Sequence, residues 1–216
     1  MKIGVFILNN FLRGKIAVLS LILITVFLFL TITSILNSNV IIDSDMTMNE
    51  ALQNTKAPPE VIDDLVLLDV TYYSFDNNIH KGQIVVHKDV EQDIREIFNL
   101  ILKMKFPVNK VIPIVKYDWS DDASMEDNNT SAFCYRFIAG TTRLSNHAFG
   151  KAIDINPFNN PVIHKDGSTS PGKAKYNPKK PGTFYKEHPI VQEFLKRGWR
   201  WGGDFNSYKD NHHFDK

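Results

Sequence analysis

Residues 144–156 read LSNHAFGKAIDIN, and they place an acid inside an apolar run: Asp154 lies among Ala152, Ile153 and Ile155. Such a run reads as a short buried strand. An unpaired carboxylate in it is costly, so a partner must hold Asp154. His147 lies upstream, and Gly150 between the two allows a tight turn that brings a loop histidine and a strand aspartate together. A zinc site takes about three His, Asp, Glu or Cys ligands and, when catalytic, an open fourth position. A third ligand is on offer in DNHHFD, residues 210–215, from His212 or His213. Neighbouring side chains of a strand face opposite ways, so at most one of the two joins the site. Asp210 is then placed as general base, because zinc lowers the pKa of water to about 7 and a nearby carboxylate takes its proton. Arg136, on an apolar stretch just upstream, is the candidate cation for a developing oxyanion. Spacing alone leaves simpler readings standing: Asp154 bonded to backbone amides, a structural His147, an incidental histidine pair and an ion-paired Arg136.

The rest of the chain bounds where such a site works. The 216 residues carry a formal net charge of +1, without the basic excess that nucleic-acid binding favours. Ile16–Leu36 is an uncharged run without proline or glycine. As a helix it is roughly 31 Å long, enough to cross a bilayer core of about 30 Å. Lys2, Arg13 and Lys15 precede it, and Asp43 and Asp45 follow. That bias predicts a cytoplasmic N-terminus and an outer C-terminal part. A cleaved signal peptide is the rival, but the run is long and NSNVIID is a poor cleavage site. The expected organisation is a cytoplasmic segment over 1–15, a signal anchor over 16–36, a juxtamembrane linker over 37–60 and one outer domain over 61–216. A single cysteine, Cys134, excludes an internal disulfide.

Within the outer domain LVLLDVTYYSF (65–75) and GQIVVH (82–87) read as strands. Residues 88–105 carry helical spacing with Asp89 as N-cap. KVIPIVKYDW (110–119) reads as a strand with an edge position or a bulge at Pro113, SDDASMEDNNTS (120–131) as a solvated acidic loop and AFCYRFI (132–138) as a strand. Residues 157–186 read as a long loop, HPIVQEFLKRG (188–198) as a short helix, and NHHFDK (211–216) as a closing strand. Strands and helices mix without βαβ regularity, so the expected class is α+β. His80, His87, His164 and His188 read as bystanders, and Trp199 and Trp201 as core or pocket wall.

Three motifs occur together in one order. SNHAFGKAID resembles the S-x-H-x-x-G-x-A-x-D pattern of the zinc D-alanyl-D-alanine carboxypeptidase family, which includes L-alanyl-D-glutamate endopeptidases. GWRWGGDF followed by DNHHF resembles that family's C-terminal signature, and NNTSAFCYRFIAGT its arginine segment. The resemblance runs from about Leu67 to Phe214. It implies a small α+β fold of the hedgehog/DD-peptidase type, with a small antiparallel sheet and flanking helices, and one zinc ion. It implies His147, Asp154 and His213 as ligands, Asp210 as general base and Arg136 as the group that polarises the scissile carbonyl. Ser145 is expected to support the loop, and Ser131 to help hold substrate. The implied substrate is the peptide stem of peptidoglycan, met outside a bacterial cytoplasmic membrane. Whether the bond cut is terminal or internal is not fixed by these motifs, and a non-catalytic zinc-stabilised binding module is the alternative. Two departures touch the pocket wall: Tyr135 separates Cys134 from Arg136, where the family pattern leads one to expect cysteine directly before the arginine, and Phe205 follows WGGD where tryptophan is usual.

Overall fold

Leu65–Tyr73 (β2) and Ile79–His87 (β3) pair antiparallel along their whole length, from Leu65 opposite His87 to Tyr73 opposite Ile79. The computed structural model describes residues 40–216; the expected signal anchor and cytoplasmic segment lie outside the described residues. Among the described residues no helix is long and apolar enough to cross a membrane. One face of the hairpin carries Leu68, Val70, Tyr72, Ile84 and Val86 into the core. Glu91–Met104 (α3 in chain order) lies on that face and buries Ile94, Ile97, Phe98 and Ile101. Each such side chain contributes roughly 1.5–3 kcal/mol through its removal from water. Asp89 is not the helix cap: a 3-10 turn over Lys88–Val90 precedes the helix, capped by His87, whose Nδ1 accepts from the Asp89 amide, and the Asp89 carboxylate pairs with Lys151 instead.

The described part of the expected linker, residues 40–60, packs on this sheet together with Val61 and Ile62. Ile41–Ile42 (β1) pairs parallel with β3. Ser44 Oγ donates to Gln83 Oε1 at 2.8 Å, and Gln83 Nε2 donates to the Met46 carbonyl at 3.0 Å. Met48–Ala51 (α1) has a reciprocal Thr47–Glu50 capping box, and Pro59–Ile62 (α2) follows it.

Three sequence expectations change along the middle of the chain. KVIPIVKYDW contributes only Lys110–Val111 (β4) and then turns as a 3-10 helix at Ile114–Tyr117, because Pro113 ends the ladder. The acidic stretch is a helix, Asp121–Glu126 (α4), started by Ser120, whose Oγ accepts from the Ala123 amide at 3.1 Å. It leads into Asn129–Thr130 (β5), paired parallel with β4. AFCYRFI is extended but joins no sheet. Its amides reach elsewhere, Phe133 to the Val85 carbonyl at 3.1 Å and Cys134 to the His147 carbonyl at 3.0 Å.

Two further three-stranded sheets complete the α+β fold, so the sheet content is divided and not one antiparallel sheet. Ala152–Asp154 (β6), Arg200–Trp201 (β9) and His213–Asp215 (β11) form one with β11 central. Val162–Ile163 (β7), Thr169–Ser170 (β8) and Lys209–Asp210 (β10) form the other, inside and beside the expected long loop. Pro189–Lys196 (α5) packs Ile190, Val191 and Phe194 into the core and ends just before Gly198, as expected. Trp199 and Trp201 are buried in the same core.

Candidate metal centre

The β6–β11 register decides the site. His213 stands directly opposite Asp154, with Phe214 opposite Ile153 and Asp215 opposite Ala152. Directly opposed residues have Cβ atoms about 5 Å apart, within reach of an imidazole and a carboxylate. His147 enters from the 3-10 turn Asn146–Phe149, whose first amides are capped by Ser145, Oγ accepting from the His147 amide at 3.3 Å. Gly150 closes that turn at φ +66°, and a Cβ there would stand 2.6 Å from the His87 amide nitrogen. Only glycine allows the turn to press against β3 and deliver His147 to the strand pair.

The donor atoms form a triangle. His147 Nε2 lies 3.2 Å from Asp154 Oδ2 and 3.2 Å from His213 Nδ1, and His213 Nδ1 lies 2.9 Å from Asp154 Oδ1. Tetrahedral zinc with ligand bonds of 2.0–2.1 Å spaces its ligands by about 3.3 Å, so these residues fit the ion. The outer nitrogens are held as well. His147 Nδ1 donates to the Ala132 carbonyl at 2.6 Å, which fixes its bare nitrogen as Nε2. His213 Nε2 faces Asp215 Oδ2 at 3.5 Å, and Arg200 Nε donates to Asp215 Oδ1 at 2.9 Å. Such backing orients metal-binding imidazoles. Among the described residues this is the group whose His, Cys, Asp and Glu atoms converge for a metal.

The electrostatics also ask for a cation. Asp154 is 2% exposed. Burial opposes its charge, yet His147 and His212, then hydrogen bonds from His147 and His213, hold its carboxyl well below the usual range. Burial likewise opposes charge on the histidines, but Asp154 and Asp215 push His213 up to about 10, and Asp210 and Asp154 push His212 up to about 9. Protons thus take the place a dication would hold, and the two compete.

His212 borders the triangle without joining it. Its Nδ1 donates to the Asn160 carbonyl at 2.8 Å, and its Nε2 is 3.0 Å from Asp210 Oδ1 and 3.9 Å from Asp154 Oδ2. Asp210 approaches because Gly202 has no side chain: a Cβ there would meet the Asp210 carbonyl oxygen at 2.4 Å. Arg136 has its carbonyl bonded by the Ser145 amide at 3.0 Å and its Nη2 2.8 Å from Asp121 Oδ2. Burial works against its charge, but Asp121 first, then Asp154, hold the guanidinium charged. Two buried side-chain polar atoms lack an aligned hydrogen bond among the described residues, Arg136 Nε and Asp210 Oδ1. Oδ1 does touch His212 Nε2, but as an ion contact without hydrogen-bond alignment.

Ser131 meets the site through its backbone, exchanging amide bonds with Asp154 at 3.1 and 2.9 Å. The other histidines have partners of their own: His80 with Asp43 and Asp76, His87 and His188 as turn and helix caps, His164 with Ser170. Sequence reading missed Asp121 and Asp215. The signal for the first was Ser120 followed by acids, a helix start mistaken for a loop.

Two histidines and an aspartate thus form a group that could hold a metal ion, with an acid and an arginine near it whose buried polar atoms lack an aligned hydrogen bond. Residues 139–216 match the family model described as D-alanyl-D-alanine carboxypeptidase. The match spans His147, Asp154, Asp210 and His213, and begins just after Arg136. Comparison with curated proteins and with solved structures finds no match.

Proposed function

We propose that the chain is a membrane-anchored zinc peptidase that hydrolyses an amide bond in the peptide stem of peptidoglycan. The observation that carries this reading is the coincidence of a zinc-sized donor triangle with two buried polar atoms that lack an aligned hydrogen bond, one acceptor and one donor. Buried polar atoms are almost always satisfied, and exceptions gather where a substrate completes the set. His147, Asp154 and His213 would hold the ion, which supplies Lewis acidity at the scissile carbonyl. Asp210 takes the proton of the attacking water on its carboxylate and returns it to the departing amine. Arg136 donates its free N–H groups to the oxyanion that develops on the carbonyl oxygen. The Ile16–Leu36 run supports an anchor in the cytoplasmic membrane, which would put the domain on the side where peptidoglycan lies.

Mass spectrometry of peptidoglycan fragments digested with the zinc-loaded chain tests this reading and names the bond. Loss of a terminal D-alanine defines a carboxypeptidase, and internal cleavage an endopeptidase. A zinc-replete protein that cleaves no stem peptide refutes the peptidase reading and leaves a binding module.

A further inference from the structure

Asp121 takes no part in the chemistry above, yet it is the one carboxylate in ion-pair contact with Arg136 among the described residues. The pair is well enclosed, with the Arg136 side chain 30% exposed and that of Asp121 21%. Asp121 is itself firmly based. Ser120 caps its helix, and Ser124 on the next turn accepts from Asn129 Nδ2 at 3.0 Å, which ties α4 to β5. An arginine beside a cation site faces two difficulties: its long side chain has many rotamers, and a positive charge is repelled by the dication. A fixed carboxylate in contact with its Nη2 answers both. The contact uses Nη2 alone and leaves Nε buried without a partner. A buried orphan donor is unfavourable, and a substrate oxygen would relieve it.

We propose that Asp121 is the positioning residue for Arg136, holding the guanidinium beside the metal centre with its Nε–H directed to the substrate oxygen. This rests on the peptidase reading for its kinetic consequence but not for its structural one, and the two are measured separately. In the full zinc-loaded chain, labelled with 15N-arginine, the Arg136 Nε–H resonance is assigned by its loss in Arg136→Lys. It should exchange slowly in the wild type, and should broaden or vanish in Asp121→Ala while zinc content and the backbone spectrum stay unchanged. Asp121→Asn keeps the shape without the charge and covers the case in which the alanine variant fails to fold. In stem-peptide hydrolysis Asp121→Ala should lower kcat by about 10–100-fold, the range that misplacement of a catalytic group produces. The same change made in Arg136→Ala should have no further effect. An Arg136 resonance unchanged in both variants overturns the proposal, and so does a loss of the same size in the Arg136→Ala background. A wild-type protein without peptidase activity would sink the functional reading alone, because the resonance still decides the role of Asp121.

Discussion

Removal of zinc is expected to lower the melting temperature of the domain substantially. The donor triangle exists only when β6 and β11 pair, since His147 and Asp154 come from one part of the chain and His213 from another. The unfolded chain therefore has no equivalent site, and the ion binds the native state selectively. At free zinc 100–1,000 times its Kd, selective binding stabilises by about 2.7–4.1 kcal/mol. A domain of roughly 150–250 residues moves about 2–4 °C per kcal/mol, so chelation should lower Tm by about 5–16 °C. The assay is differential scanning calorimetry at pH 7 with free zinc set by a metal buffer, alongside Asp154→Ala. That variant should show no zinc-dependent shift, because it lacks the carboxylate that faces both ring nitrogens. A wild-type shift below about 2 °C, less than the effect of one kcal/mol, would refute the account of Asp154 as a ligand.

Asp210→Asn should retain one zinc per chain yet lose about 10²–10⁴-fold in kcat, the usual contribution of a general base, measured by metal analysis with stem-peptide hydrolysis. Gly202→Ala places a methyl group within 2.4 Å of the Asp210 carbonyl oxygen, so it should cut kcat by up to about 100-fold at unchanged zinc content. Zinc uptake at pH 7 should release protons into a weakly buffered solution, because His213 is raised to about 10 and must be neutral to ligate; uptake without proton release would contradict the assignment. Asp93 accepts from Trp199 Nε1 and Lys216 Nζ, both at 2.9 Å, and although burial opposes it, these partners lower its pKa. A lowered folded pKa stabilises above the unfolded value of about 3.9 and is lost as pH falls below it. Urea denaturation should therefore show Asp93→Asn less stable than wild type at pH 7, with the gap closing towards pH 3.

Much of the scaffold was legible because its residues obey one period. The β2–β3 hairpin is rich in β-branched and aromatic residues, α3 repeats Ile94, Ile97, Phe98 and Ile101, and Asp154 interrupts a run too apolar to leave it unpartnered. The pairing of His213 with Asp154 was not legible from spacing, because a strand register is set by tertiary packing; the family motif supplied that choice between His212 and His213. AFCYRFI misled because its amides bond to single carbonyls and not to a ladder, and its consecutive residues Ala132, Phe133 and Cys134 are all buried. Asp121 was hidden for a related reason. Its acidic neighbours look solvated along the chain, and only the start of helix α4 in the folded protein carries one of them to Arg136.

The opposition of β6 and β11 has a consequence for the chain as a connected object. His147 and His213 are 66 residues apart, so an ion shared between them closes a loop as a disulfide would, in a protein whose lone cysteine permits none. On the chain-entropy relation for cross-links such a closure removes about 4 kcal/mol worth of denatured-state freedom. The prolines, glycines and lysines of residues 157–186 lie inside that loop. A protease cut there would break the backbone yet leave the two pieces joined through the metal as well as through the β6–β11 ladder and the shared core, and a chelator would remove one of those ties.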